Sequence, residues 1–232
     1  MDCFSECRHL FEESQDEERA KQMAHYMRDQ FAFYGVTTPI RRRLVRDLML
    51  RAARQLDEAA MESMVRQCWE APQREMQYFA CDLLARCRRR WTPNTLQLCK
   101  ELICSKSWWD TVDFIASRVV GPLVEKFPEL KAQMDRWSGH SNVWLRRVAI
   151  LHQLHYRKNT DEKRLFKYCL TSSEHKEFFL RKATGWALRE YAKSAPDRVV
   201  DFLNANRERF SPLSLREATK HMGEKKLSLV GT

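Results

Sequence analysis

Three short stretches of this chain combine side chains able to act on a cationic or polyanionic substrate. The first is Ser107-Trp108-Trp109-Asp110-Thr111-Val112-Asp113. On a helix, Trp109 and Asp113 stand at i and i+4, one above the other on the same face, while Trp108, Val112 and Ile115 fall to the other side and can serve a core. A carboxylate can stabilise developing positive charge or orient a water, and an indole face attracts cations. A partly buried tryptophan beside a solvated aspartate explains the same spacing. The second stretch runs from Asn142 to Ile150 and contains Trp144, Leu145, Arg146 and Arg147. Its apolar stripe is Trp144, Val148 and Leu151, so one or both arginines must point to an open face, where a guanidinium suits a phosphate. A solvated arginine pair is the plainer alternative. The third stretch, Phe178 to Tyr191, carries Gly185 in mid-helix, Trp186 beside it and Arg189 one turn further on. A mid-helix glycine costs roughly 1 kcal/mol relative to alanine and signals close approach by a ligand or by another backbone.

The elements that must position these residues are helices. The helical period runs through almost every segment and strand-like alternation is scarce. Helices are expected over 16–33, ended by Gly35; from Thr38 as N-cap with Pro39 at the first helical position; and over 57–69. Further ones follow Pro72, with Met76, Phe79, Leu83 and Leu84 on one face, and Pro93. A helix from Trp108 to about Val120 should be stopped by Gly121-Pro122. Others are expected near 128–137, 142–157, 161–171, 175–194, 197–207 and 212–222. No long linker divides them, so residues 1–232 read as a single domain. Consecutive helices with short connections and no sheet form a bundle or a stack of antiparallel pairs. The recurrence at roughly 35–45 residues is that of HEAT-like repeats, which predicts an all-α curved solenoid of stacked antiparallel helix pairs with a basic concave face.

Composition bounds the function. The chain has 232 residues, 31% charged and 44% hydrophobic, which excludes wholesale disorder. Six glycines and seven prolines are too few for a turn-rich β-sandwich. Apolar runs fall far short of the ~20 residues that span a membrane, and no secretory leader pattern is present. Net charge is +10; residues 1–35 contribute −4 and the remainder +14. A basic body of that size predicts a polyanionic partner, nucleic acid first and an anionic membrane second. The eight cysteines contain no CxxC, and no cysteine pair has a matching downstream pair at zinc spacing, so they read as reduced thiols, with Cys81, Cys99 and Cys169 buried on helix faces.

Taken together, these stretches resemble the AlkD-like DNA alkylation repair enzymes, a family of HEAT-like-repeat DNA glycosylases. The resemblance covers nearly the whole chain. It includes Tyr34-Gly35-Val36-Thr37-Thr38-Pro39 with Arg41-Arg42, Arg74 to Ala80, Ser107 to Asp113, and Trp144-Leu145-Arg146-Arg147 with Ala149-Ile150-Leu151. It continues with Phe178 to Tyr191 and ends with Pro212-Leu213-Ser214 and Arg216-Glu217-Ala218. The first 20 residues are more acidic and cysteine-bearing than the family pattern. The resemblance implies that Asp113 is the catalytic carboxylate, that Trp109 and Trp186 line the deoxyribose of the lesion, that Arg147 and Arg189 hold backbone phosphates, and that Tyr26 completes an aromatic wall. It implies hydrolysis of the N-glycosidic bond of cationic N3- or N7-alkylated purines in duplex DNA, leaving an abasic site without flipping the base. No lysine is placed to form a Schiff base, so a monofunctional hydrolase is expected. The same expectations include no cofactor, no metal, no membrane, a monomer, and a bacterial-type cytoplasmic location at the nucleoid.

The remaining motifs are weaker. Thr38, at a helix N-terminus, could hold a phosphate through backbone N–H groups with help from Arg42, although ordinary capping explains it equally. His152 and His155 stand three apart without metal-spaced partners and read as structural. Two other functions fit the chain less well: a non-catalytic HEAT-like paralogue recognising distorted or branched DNA, and a protein-interaction scaffold. The intact set of Trp109, Asp113, Arg147 and Trp186 disfavours the former, and the basic body disfavours the latter.

Overall fold

The computed structural model describes residues 2–222, and every regular element among them is helical apart from one isolated bridge between Ala32 and Gln73. The all-α expectation holds. Among the described residues no helix is long and apolar enough to cross a membrane. The chain forms two compact units, Met1–Leu98 and Cys99–Thr232. The division falls inside α7 (Thr95–Cys104), so no linker signals it in the sequence.

The first unit contains α1 (Cys3–Glu13), α2 (Glu17–Tyr26), α3 (Thr38–Leu44), α4 (Arg46–Gln55), α5 (Glu58–Glu70) and α6 (Arg74–Arg86). Side-chain carboxylates of Asp2, Asp16 and Asp57 accept from the first-turn amides of α1, α2 and α5, which satisfies donors that a helix start leaves unpaired. The face of Met76, Phe79, Leu83 and Leu84 is fully buried, with Phe11, Leu48 and Met61 in the same unit's core.

Two expectations in this unit are corrected. The helix expected over 16–33 ends at Tyr26, because Arg28 and Asp29 turn into the left-handed region with φ of 56° and 55°. Gly35 does not cap that helix. It lies in the following loop at φ 87°, where a Cβ would come within 2.1 Å of the Asp16 carbonyl. The loop is held by buried Glu75, whose carboxylate accepts from the amides of Tyr34, Gly35 and Val36 at 3.1, 2.9 and 3.0 Å. At α3 the N-cap is Thr37, without a side-chain bond, and Thr38 is already the first helical residue, with Pro39 following it.

The second unit contains α8 (Trp109–Phe114), a π-helical stretch (Ile115–Val120), α9 (Gly121–Lys126), α10 (Lys131–Ser138), α11 (Val143–Leu151), α12 (Glu162–Thr171), α13 (Phe178–Ala192), α14 (Pro196–Ala205) and α15 (Pro212–Ala218). Gly121-Pro122 does not stop the helix after Asp113; the helical run continues to Lys126. Pro122 stands in the first turn of α9, where its missing N–H costs nothing. Gly121 is needed there because a Cβ would meet the His152 carbonyl at 2.2 Å. Its own carbonyl accepts from the Tyr156 hydroxyl at 2.7 Å. Helix α11 ends at Leu151 rather than 157, so His152 and His155 lie beyond it. His152 is buried with Nδ1 2.8 Å from the Ala149 carbonyl, and burial lowers its pKa to about 4. That is a structural histidine, as expected.

Packing in this unit follows the stacked-pair pattern: α10 lies against α11 and α12, α11 against α12 and α13, and α13 against α14 and α15. Helices α13 and α15 approach closely at Gly185, where a Cβ would stand 2.4 Å from Cβ of Glu217 and 2.7 Å from the Ser214 carbonyl. The mid-helix glycine therefore answers to another helix. All eight cysteines are free thiols, and six of them, including Cys81, Cys99 and Cys169, are buried.

Candidate functional site

Helices α8, α11, α13 and α15 of the second unit together build an open pocket of about 280 Å3. Its aromatic wall is Trp109, Phe178, Phe179 and Trp186, and its charged groups are Arg147, Lys182, Arg189 and Glu217. The i, i+4 spacing read in the sequence puts Trp109 and Asp113 on one face of α8, whose helical course continues through the π stretch. The Ser117 hydroxyl donates to the Asp113 carbonyl at 2.8 Å there. Helix α13 presents Phe178, Lys182, Trp186 and Arg189 at successive turns of one side. Behind the wall, Phe179 packs against Trp108 and Trp144 with ring centroids 5.1 and 5.0 Å apart.

Asp113 and Arg147 form a bidentate ion pair. Arg147 Nε donates to Oδ1 at 2.6 Å and Nη2 donates to Oδ2 at 2.7 Å. Its Nη1 donates to the Phe179 carbonyl, which ties α8, α11 and α13 together at one guanidinium. Arg147 is only 4% exposed and the Asp113 side chain 14%. Burial raises the Asp113 pKa, the hydrogen bonds and charge of Arg147 oppose that rise, and nearby Asp110 adds to it. An arginine does not give up its proton, so both oxygens face permanent donors, which favours the carboxylate form.

Of the two arginines expected to put one or both guanidiniums on an open face, Arg146 is half-buried and Arg147 is buried at the edge of the pocket. Arg147 is buried with its two-nitrogen edge on Asp113, and Arg146 donates through Nη2 to the Thr171 carbonyl at 2.8 Å. Arg147 rather than Asp113 forms the pocket wall. Two lone-pair directions of the carboxylate are used by Arg147, which leaves acceptor capacity for a water.

Glu217 joins the other two charges. Its Oε1 accepts from Lys182 Nζ at 2.7 Å, and its Oε2 accepts from Arg189 Nη1 at 2.9 Å. The same Nη1 also donates to the Glu217 main-chain carbonyl at 2.9 Å. The Lys182 hydrogen bond chiefly, with the Arg189 hydrogen bond and both positive charges, holds the Glu217 carboxyl below its ordinary range.

The structure thus brings Trp109, Asp113, Arg147, Trp186 and Arg189 together. Tyr26, Thr38 and Arg42 belong to the first unit. Tyr26 is 71% exposed at the end of α2. Thr38 opens α3, and Arg42 reaches Asp82 through Nη2 at 3.2 Å while remaining largely exposed. Sequence reasoning missed Phe178, Phe179, Lys182 and Glu217 as site residues. For Phe178 and Lys182 the signal was present: positions 178, 182, 186 and 189 share one side of a 3.6-residue period. For Glu217 the only pointer was Gly185, which marks where a second helix comes close. Among the described residues no cluster of His, Cys, Asp and Glu could hold a metal ion.

The chain is similar to known proteins in a way that bears on this pocket. The family described as DNA alkylation repair enzyme matches residues 7–222. A solved structure described as a predicted DNA alkylation repair enzyme from Enterococcus faecalis superposes with a TM-score of 0.85. It is 29% identical, over 90% of this chain and 97% of that one. No curated protein matches the chain.

Proposed function

The chain belongs to the DNA alkylation repair enzyme family, and on that premise we propose that it is a monofunctional DNA glycosylase for cationic N3- and N7-alkylated purines in duplex DNA. The observation that carries this reading is a pocket in which two indoles and two phenyl rings meet Arg147, with Asp113 held directly behind it by that guanidinium. An alkylated purine already carries positive charge. When its bond to C1′ breaks, the bonding electrons neutralise the base, which leaves without needing a strong acid. The sugar becomes oxocarbenium-like, and water adds to C1′ with loss of a proton to the carboxylate or to solvent. The aromatic faces favour the cationic sugar by roughly 0.5–2 kcal/mol each. Asp113 orients the water with the acceptor capacity that Arg147 leaves. Because the charge develops at the sugar, both contributions are largest in the transition state.

Lys182 stands in the pocket, where the sequence placed no lysine, but its ammonium is paired with Glu217 at 2.7 Å. An amine so engaged has no lone pair to attack a sugar carbon, which supports hydrolysis to an abasic site over Schiff-base chemistry. The pocket is open and lined by helix faces, which supports engagement of a lesion from the backbone side with the base left in the duplex. The exposed Tyr26 and the α3 residues Thr38 and Arg42 are proposed as further backbone contacts.

The test is incubation with a duplex containing 7-methylguanine, followed by alkaline cleavage of abasic sites. Wild-type protein should cleave, and Asp113→Asn should lose at least about 100-fold in rate, the usual scale for a general-base or charge-stabilising group, while still binding the duplex. Salt-sensitive binding without cleavage above the Asp113→Asn control would instead identify a DNA-binding member of the family without this activity.

A further inference from the structure

The two arginines of the pocket are held in opposite ways. Arg147 spends its Nε and Nη2 edge on Asp113. Arg189 is held by Nη1 alone, on the carboxylate and the main-chain carbonyl of Glu217, and neither its Nε nor its Nη2 has a partner among the described residues. That edge is the one that grips a phosphate or carboxylate with two parallel hydrogen bonds. Glu217 is itself immobilised. Its second oxygen is held by Lys182, and its Cβ sits where α15 comes close to α13 at Gly185.

We propose that Glu217 is a positioning residue for DNA binding: it clamps one nitrogen of Arg189 so that the opposite edge of the guanidinium faces a backbone phosphate across the pocket. This rests on the reading that the partner is DNA. A long arginine side chain loses rotamer freedom when it binds. Glu217 fixes that geometry in the free protein, so less ordering remains for the moment of contact. The direction of the effect is distinctive. Removing a negative charge from a basic protein strengthens binding to a polyanion on simple electrostatics. Loss of a positioned arginine weakens it.

The experiment measures binding of an undamaged duplex at several salt concentrations by fluorescence anisotropy. It compares the wild type, Glu217→Gln, Glu217→Ala, Arg189→Ala and the Glu217→Ala/Arg189→Ala double variant. Glu217→Ala should bind about 10-fold more weakly, with a salt slope shallower by about one phosphate contact. Glu217→Gln should fall between it and the wild type, because an amide oxygen still accepts from Nη1. The double variant should be no weaker than Arg189→Ala alone. Tighter binding by Glu217→Ala, an unchanged slope, or losses that add in the double variant would overturn the proposal. Thermal melts establish that each variant is folded; if Glu217→Ala is not, the slope of Glu217→Gln decides. Excision of 7-methylguanine is followed in parallel. Absence of excision by the wild type removes the glycosylase reading while the binding slopes still test Glu217, and absence of salt-dependent binding by the wild type removes both.

Discussion

Asp113 experiences two opposed influences, burial pushing its carboxyl up and Arg147 pulling it down, with burial the larger. A group whose folded pKa is raised favours its protonated form in the native state, so ionising it costs stability as pH rises from the unfolded value through the folded one. The carboxylate is therefore maintained at the site's expense, chiefly by one guanidinium. Arg147→Ala should lose about 3–5 kcal/mol of stability, the usual cost of leaving one member of a buried pair alone. It should also raise the Asp113 pKa further, so that the acid limb of the pH–rate profile for excision moves to higher pH. Arg147→Lys should recover part of the stability but not the two-nitrogen grip. An acid limb unmoved in both variants would show that Arg147 does not govern Asp113. The i, i+4 relation of Trp109 to Asp113 was legible in the sequence because helical geometry is local. The pairing of Asp113 with Arg147 spans 34 residues, and nothing local encodes it.

At the level of elements, what was legible depended on where the punctuation lay. Helices α5 and α6 are bounded by Asp57 and by the Pro72 turn, and their apolar faces recur at helical spacing, so the span of α5 and the start of α6 were read within a residue or two. The end of α2 was missed because Phe31 and Phe33 continue an apolar pattern while the chain is turned by Arg28 and Asp29, residue types that do not announce a left-handed conformation as glycine does. Gly121 misled in the other direction: it serves packing against His152 rather than termination. Gly185 has the same character, with a sharper consequence. Gly185→Ala would drive a methyl into Glu217 and the Ser214 carbonyl, which should cost about 1–3 kcal/mol, as overpacking usually does. By displacing α15 it should also disturb Arg189 and Trp186. A melting temperature and an excision rate equal to the wild type's would show that α15 yields without consequence.

For the molecule as a whole, acid sensitivity has an identifiable source in His152. Its folded pKa of about 4 lies below the ordinary histidine value of 6.5 because burial disfavours the charged ring. Its contribution to stability is complete above 6.5 and is lost as pH falls through about 4. Between those values the wild type should lose about 3 kcal/mol that a His152→Gln variant does not, measured as the difference in the pH dependence of unfolding. Parallel curves for the two proteins would place the acid sensitivity elsewhere.

The burial of the cysteines bears on the protein's own survival. Agents that methylate purines are electrophiles, and sulfur is attacked as thiolate. Burial pushes the thiols of Cys7 and Cys169 far up and that of Cys68 to about 12, so at neutral pH they remain protonated as well as shielded. Cys104 is exposed and Cys3 partly so. Limiting iodoacetamide near neutral pH, followed by peptide mapping, should label Cys104 and Cys3 and spare Cys169 until the protein unfolds; early modification of Cys169 would contradict this. Most of the sulfur is thereby kept away from the same reactive small molecules that create lesions in DNA, and a repair protein so arranged can keep its shape while the damage accumulates around it.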